Sequence, residues 1–516
     1  MSSFVDGLGL VVSAGAIVLS DLRWLRVAQR EHYLPGATVR FARRWWLAGT
    51  ANRAVFIVAV AAALVSVWYA PAAFVSAAAA AGAPIGLGVR GRTSKLAWTS
   101  RLRRLAGASA VLAAFAIAIP GAFGLHAAFT AAAMAAVAAP ALVDAALWLA
   151  KPVEAHYLGP YVARARRRLE AVHPRIVAIT GSYGKTTTKG YVAHLAAGSF
   201  SVVPSPASFN NTVGLSRAVN EHLASGTQVF VAEMGTYGPG EIKALCEWAT
   251  PEVAVITAIG PVHLERMGTL ERIAEAKAEI LEEARVAILN VDYPLLEQLA
   301  RKVEEEGKTV WRCSSREPRA DVRVTVDGAS LQVKAAHFEA QMDLSVAAAP
   351  EVEPGNVACA VAVALSLGVP AEVVAARLAS LPGAPHRRSV HTAASGAIVV
   401  DDTYNANPAG AQAALSLLAT LGKQGGKKVV VTPGMVELGP VQSRENANFA
   451  ASAGAVATEM LVIGHTNARA LVGGARAAGL SARPMRNRVA AVAWVAAHLG
   501  PGDAVLYEND LPDHYP

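Results

Sequence analysis

The chain has 516 residues, 53% of them hydrophobic, and a formal net charge of +8. That length is too great for one compact core and predicts about two to four domains. The basic residues lie mostly between apolar blocks near the N-terminus, so the charge points to a membrane surface rather than to nucleic acid. Three scattered cysteines (Cys246, Cys313 and Cys359) form no CxxC pair; they exclude a disulfide framework and a zinc site of that type, and fit a reducing compartment.

The first third is built from apolar blocks at 7–20, 54–70, 71–89, 106–124 and 125–150. A spanning helix needs roughly 20 apolar residues, so these blocks predict a helical transmembrane bundle of about five spans over 1–150. The first block follows Asp6 rather than a basic start and has no clear cleavage site, so it reads as a span and not a signal peptide. Arginines crowd 21–53 (Arg23, Arg26, Arg30, Arg40, Arg43, Arg44, Arg53), 90–104 and the basic linker 151–174. An excess of Lys and Arg marks the cytoplasmic side, which puts the N-terminus outside and the rest of the chain in the cytoplasm. The expectation is a multi-pass protein of the cell membrane, with membrane lipid as one partner.

From about residue 175 the pattern changes. IVAIT, QVFVAEM and VAVITAI read as short buried strands, each followed by a loop and a helical stretch, which is the signature of a parallel α/β sheet. Residues 321–346 alternate with period two and read as antiparallel strands. A second α/β series (AIVVDD, KKVVVTPG, EMLVIGH, AVLYEN) begins near residue 395. The predicted domains are 175–383, a P-loop-type ATP-binding domain, and 384–516, a Rossmann-like one.

The chemistry concentrates at Gly181-Ser182-Tyr183-Gly184-Lys185-Thr186, between a strand and a helix. Glycines let backbone N–H groups turn inward, and a helix N-terminus adds partial positive charge, so this stretch suits phosphate. Lys185 would reach the terminal phosphates and the Thr186 hydroxyl would ligate magnesium. The strict P-loop spacing fails, because its first glycine would fall on Ile179. Glu233 closes one strand, His263 follows another, and Lys277 sits in a helical stretch; a carboxylate and an imidazole at adjacent strand ends could share a metal with substrate phosphate. Each also has a plainer reading: a helix cap, a loop histidine and a solvated helix position.

Taken in order, TGSYGKTTT, SFNNTVGL, AEMGTYGPGEI, ITAIGPVHLERMGTLERIAEAKAEIL and DDTYNANP resemble the Mur ligases over roughly 175–515, and within them the MurF-type branch. The resemblance implies an ATP- and Mg2+-dependent amide ligase of peptidoglycan synthesis. Such an enzyme activates a carboxylate as acyl phosphate and couples it to an amino acid or dipeptide, here D-alanyl-D-alanine. It implies that Gly181, Ser182, Gly184, Lys185, Thr186 and Thr187 surround the ATP phosphates, with Asn356, Arg387 (or its neighbour Arg388) and Asp402 on the rest of the nucleotide. Lys185, Glu233, His263 and Lys277 take the catalytic roles. Thr186, Glu233, His263 and a carbamylated Lys277 hold metal. Asn210, Asn211, Thr212, Tyr404, Asn405 and Asn407 face the substrate.

The sequence departs from that family at three places. The membrane block stands where family members carry a soluble domain for the uridine nucleotide, so an acceptor linked to lipid is an alternative to the UDP-linked one. Asn446 stands near a common histidine, and VLYENDLPDHYP replaces a KGS-type segment. A membrane scaffold with a degenerate ligase domain is the rival from another functional class.

Overall fold

The computed structural model describes residues 2–91, 95–328, 330–337, 340–347, 352–382, 389–404, 407–511 and 514–516. They form two compact units: Met1–Tyr157 with Gly464–Thr466 and Leu511–Pro516, and Leu158–Ile463 with Asn467–Asp510.

The first unit is helical: α1 (Ser2–Arg30), α2 (Ala37–Leu47), α3 (Thr50–Val65), α4 (Pro71–Gly82), α5 (Ser100–Gly121) and α6 (Leu125–Val172). Three of these (α1, α5 and α6) are long and apolar enough to cross a membrane; α2 and α3, bent by 115° at their junction, make up to four. The five apolar blocks therefore do not become five equal spans. The block at 71–89 yields only α4, whose 12 residues reach about 18 Å at 1.5 Å per residue, short of a hydrocarbon core of about 30 Å. The expected linker 151–174 is helical as far as Val172, continuing α6.

Two polar side chains buried in this unit are matched to helix ends. The Asp144 carboxylate accepts hydrogen bonds from the backbone N–H groups of Thr38 (3.3 Å) and Val39 (2.9 Å), where α2 has unpaired donors. Arg23 donates to the carbonyls of Ala80, Ala81 and Ala83, the unpaired acceptors at the end of α4. The chain's last residues complete the unit: Trp45 Nε1 donates to the His514 carbonyl at 2.8 Å, His514 Nε2 lies 3.2 Å from Glu31, and Tyr515 packs edge-on against Phe41.

The second unit holds two sheets. The larger contains β1 (Arg175–Thr180), β2 (Val202–Pro204), β3 (Val229–Glu233), β4 (Val253–Ile256), β5 (Val286–Asn290), β6 (Thr309–Ser314), β7 (Val322–Asp327), β8 (Ser330–His337) and β9 (Ala340–Ala347), in the order β2-β3-β1-β4-β5-β6-β7-β8-β9. It is parallel through β7 and antiparallel from β7 to β9, as the alternating 321–346 segment predicts. The smaller sheet runs β10-β11-β15-β12-β13-β14: β10 (Ser389–Thr392), β11 (Ile398–Asp402), β12 (Lys428–Thr432), β13 (Glu459–Ile463), β14 (Ser481–Met485) and β15 (Ala504–Glu508). All its pairings are parallel except β10 with β11. Burial follows the pattern expected of parallel sheets covered on both faces: every residue of β3 and β4 is buried. The expected boundary at residue 383 lies outside the described residues, between the two sheets.

Candidate functional site

The register fixes where the chemistry gathers. Ile179 of β1 pairs with Glu233 of β3, and Thr180 pairs with Ile256 of β4, so the loops after all three strands leave the sheet at one carboxyl edge. Ligands of open parallel sheets bind at that edge.

The first of these loops is Gly181–Gly184. Gly181 and Gly184 have φ of +152° and +78°. A Cβ on Gly181 would stand 2.1 Å from Thr257 Oγ1, and one on Gly184 would stand 2.3 Å from Asn356 Oδ1, so only glycine fits either place. Ser182 Oγ donates to the Gly260 carbonyl (3.1 Å) and accepts from the Gly260 N–H (3.0 Å), tying the first loop to the third. Tyr183 is wedged against Gly260, and its burial pushes the phenol well above its ordinary pKa. The helix α7 (Lys185–Ala196) starts at Gly184, and Lys185 Nζ donates back to the Gly181 carbonyl at 2.7 Å. Thr187 lies half-buried on its first turn.

Glu233 is 1% exposed and fully engaged. Thr186 Oγ1 donates to its Oε2 at 2.9 Å, Lys189 Nζ to the same oxygen at 3.1 Å, and Asn210 Nδ2 to Oε1 at 3.0 Å. Burial acts to raise its pKa, but Lys189, Lys185 and the Asn210 hydrogen bond together outweigh burial and hold it below the ordinary carboxylate value. Lys189 is a neighbour of Glu233 that the sequence reading missed. Its spacing supplied a signal: it stands four residues after Lys185 and three after Thr186, on the same face of α7.

Lys277 is not a solvated helix position. It is 4% exposed on the helix Leu270–Ala278 and has no hydrogen-bond or ion-pair partner among the described residues. Burial first, and then the neighbouring Lys185, push its pKa well below the ordinary lysine value. The shift favours the neutral, nucleophilic amine, the form that adds carbon dioxide to give a carbamate.

His263 stands at the start of the short helix Leu264–Met267. At φ +59° it turns its Nδ1 to the Glu437 carboxylate, which also takes Arg266 Nη2 at 3.3 Å, and its ring packs 4.9 Å from that of Tyr237. Tyr237 belongs to the loop that follows Glu233, so His263 lies against that loop while its Nδ1 turns to Glu437. Among the described residues no three His, Cys, Asp or Glu side chains gather into a metal-sized group. The oxygen pair Thr186–Glu233 nonetheless suits magnesium, which typically takes one or two protein oxygens and completes its shell with phosphate and water.

Several predicted substrate residues have structural duties. Asn211 caps the helix Thr212–His222, accepting from the Gly214 N–H at 2.9 Å, and Asn407 caps the helix Pro408–Thr420 through the Gly410 N–H at 2.8 Å. Thr212 opens the first of those helices. Tyr404 reaches back to Ser208, hydroxyl to hydroxyl at 2.5 Å, joining the loop after β11 to the SFNN loop. Asp402 is buried at the end of β11 beside Glu508, and Asn356 lies against Gly184. Arg387, its neighbour Arg388, and Asn405 lie outside the described residues. The departures also have places. Asn446 is fully buried, its Nδ2 donating to the Met435 carbonyl (2.9 Å) and its Oδ1 accepting from the Met435 N–H (2.8 Å). Asn509 takes φ +62° and donates to the Gly434 carbonyl at 2.7 Å. Glu508, also missed from sequence, is fully buried, and its pKa is pushed up to about 8 by burial despite a hydrogen bond from Thr432.

Comparison with known proteins follows this geometry. Residues 179–364 match the Mur ligase middle domain, and residues 386–507 match the Mur ligase, glutamate ligase domain. A UDP-N-acetylmuramoyl-tripeptide--D-alanyl-D-alanine ligase of Mycobacterium leprae (strain TN) is 33% identical over 64% of this chain and 70% of its own length. The Mycobacterium bovis protein of the same name is 35% identical over 48% of this chain, and the match spans only 49% of that relative. Among solved structures, MurF from Acinetobacter baumannii superposes with a TM-score of 0.59 at 25% identity, covering 68% of this chain and 77% of that one. MurF from Thermotoga maritima in complex with ADP superposes with a TM-score of 0.57 at 26% identity, covering 68% and 80%.

Proposed function

The chain belongs to the Mur ligase family, and we propose that it is an ATP-dependent, ADP-forming ligase that joins an amino acid or dipeptide to a peptidoglycan precursor. The γ-phosphoryl group passes from ATP to a substrate carboxylate. The amine then attacks the acyl phosphate, and inorganic phosphate leaves. A carboxylate alone is a poor electrophile, and bringing it to a polyphosphate crowds two anions together. The cost is met by cations and oriented dipoles held ready in the site. Lys185 and the first turn of α7 supply them on the phosphate side. Magnesium, when bound at Thr186 and Glu233, screens the same charge. Lys277, once carbamylated, turns from an amine into an anion able to hold a second ion.

The observation that carries this reading is the pairing of Thr186 with a buried, ionised Glu233 at 2.9 Å, together with a buried lysine, Lys277, whose pKa burial and Lys185 push down. A degenerate scaffold has no use for that arrangement. D-alanyl-D-alanine is the amine we propose first, from the relatives' names. Asn446 and the 509–510 turn lie where the family resemblance expects other residues and leave room for a different one.

We place the protein in the cell membrane with this unit in the cytoplasm. A second reading keeps the chemistry and changes the acceptor to one carried on lipid; the three membrane-length helices favour it. The test supplies full-length protein with ATP, D-alanyl-D-alanine and either a UDP-linked or a lipid-linked muramoyl peptide, and reads ADP release with the product mass. Acceptor-dependent ADP and a mass gain equal to the dipeptide less water are expected. ADP release without an amide product would defeat the ligase reading, and clear preference for the UDP-linked acceptor would defeat the lipid-linked one.

A further inference from the structure

A cavity of about 200 Å³ opens in the helical unit between the α1–α2 turn, α5 and α6. One wall is cationic, with Arg101 and Lys151, and His32 and Tyr33 close the turn above it. One turn along the same two helix faces the lining becomes apolar, with Leu105 four residues from Arg101 and Leu147 four from Lys151, both leucines buried. Glu154 also lines it and lies 3.5 Å from Arg101 and 2.7 Å from Arg104, so the carboxylate is shared between two guanidinium groups rather than left facing the cavity alone. Arg101 and Lys151 line the cavity against one acid whose charge Arg104 also offsets from outside it, a balance that favours an anion.

The depth of the cavity along α6 is informative. Residues 125–150 are apolar, and the charged half begins at Lys151, so the cavity sits where hydrocarbon would give way to head groups. Trp148 (67% exposed) and Tyr157 (60% exposed) flank Lys151 on the same helix, the placement of aromatic side chains at a membrane–water boundary. His32 and Tyr33 both take positive φ, 57° and 59°. Two adjacent non-glycine residues in that region are strained, and such strain clusters at active sites, ligand clamps and switches. The Arg101 guanidinium packs 4.2 Å over the Tyr33 ring, so the strained turn also positions the cation.

We propose that this cavity binds the phosphate head group of a membrane lipid, with Arg101 and Lys151 on the phosphate and the first carbons of the chain on Leu105 and Leu147. The proposal rests on reading the helical unit as membrane-embedded. An anionic glycerophospholipid and an isoprenoid diphosphate share the required chemistry.

The test uses full-length protein in detergent, with retained lipid counted by native mass spectrometry. The probes are phosphatidylglycerol, a polyisoprenyl diphosphate and, as a neutral control, a diacylglycerol. One retained phosphate-bearing lipid is expected. Its occupancy should fall about tenfold in Arg101→Gln/Lys151→Gln, with a smaller fall in Lys151→Gln. Lys151 is exposed and makes no hydrogen bond or ion pair among the described residues, so the single variant does not threaten folding. Preference for the isoprenoid would assign the site to a carrier lipid, and preference for phosphatidylglycerol would assign it to bulk membrane. Retention unchanged in both variants, or no preference over diacylglycerol, would overturn the proposal. Recovery of the wild type in the soluble fraction without detergent would overturn the membrane reading beneath it instead.

Discussion

Replacing Lys189 by methionine isolates the electrostatics of the site. The Lys189–Glu233 pair is 3.1 Å apart with side chains only 6% and 2% exposed. At an effective dielectric constant of about 20, two unit charges at that distance attract by about 5 kcal/mol. Methionine keeps most of the volume and removes the charge. Glu233 is then left with Lys185 and two neutral hydrogen bonds, from Thr186 and Asn210, against the full effect of burial. Breaking a buried pair from one side costs about 3–5 kcal/mol, and that is the loss expected at neutral pH. The sign with pH follows. In the wild type, the depressed pKa of Glu233 adds stability above its unfolded value, and this is lost as pH falls through the folded value. In the variant the folded pKa rises above the unfolded one, so the deficit should shrink as the solution is acidified and the carboxylate takes a proton. Hydrogen exchange of peptides covering β3 in the full-length protein, followed from pH 5 to pH 8, reads the local stability. Adding Glu233→Gln to Lys189→Met should restore most of it. A loss under about 1 kcal/mol, or no recovery in the double variant, would show that the pair is not the electrostatic centre described.

Three further outcomes are expected. Lys185→Ala should abolish ATP turnover while membrane fractionation stays unchanged; undiminished ADP release would remove the phosphate site from the Gly181–Thr186 loop. Lys277→Met should flatten the pH dependence of stability. The unfolded lysine binds a proton below a pKa of about 10.4 that the buried one refuses, so wild-type stability falls as pH drops below that value and the variant's should not, as thermal melts across pH would report. Glu508→Gln keeps an acceptor for Thr432 and should stabilise the protein by about 3 kcal/mol at pH 7. The wild-type carboxyl, raised from 4.5 to about 8, penalises folding increasingly as pH climbs through that window. A small gap in melting temperature at pH 5 that widens steadily to pH 8 is the signature.

Features that depend on neighbours along the chain were legible before any fold was known. The strand–glycine loop–helix at 176–196 needs only local turn chemistry and period, and it folds as expected. The apolar runs of β1, β3, β4, β11, β12, β13 and β15 are also local signals, because strands buried on both faces must be apolar at every position. By contrast β2, β10 and β14 lie at sheet edges, where half the burial is missing and proline is tolerated, as at Pro204 and Pro484, so their pattern is faint. Tertiary structure decided which polar side chains meet. Glu233 meets Lys189 across 44 positions of sequence, and His263 meets Glu437 across 174. It also separated helix caps (Asn211 and Asn407) from residues free to face a substrate. Above all it buried Lys277, whose amphipathic surroundings on the helix Leu270–Ala278 are compatible with a solvated lysine. Burial and the charge of a neighbour set whether an amine is protonated, and both are properties of distant segments brought together, which periodicity along one helix does not encode.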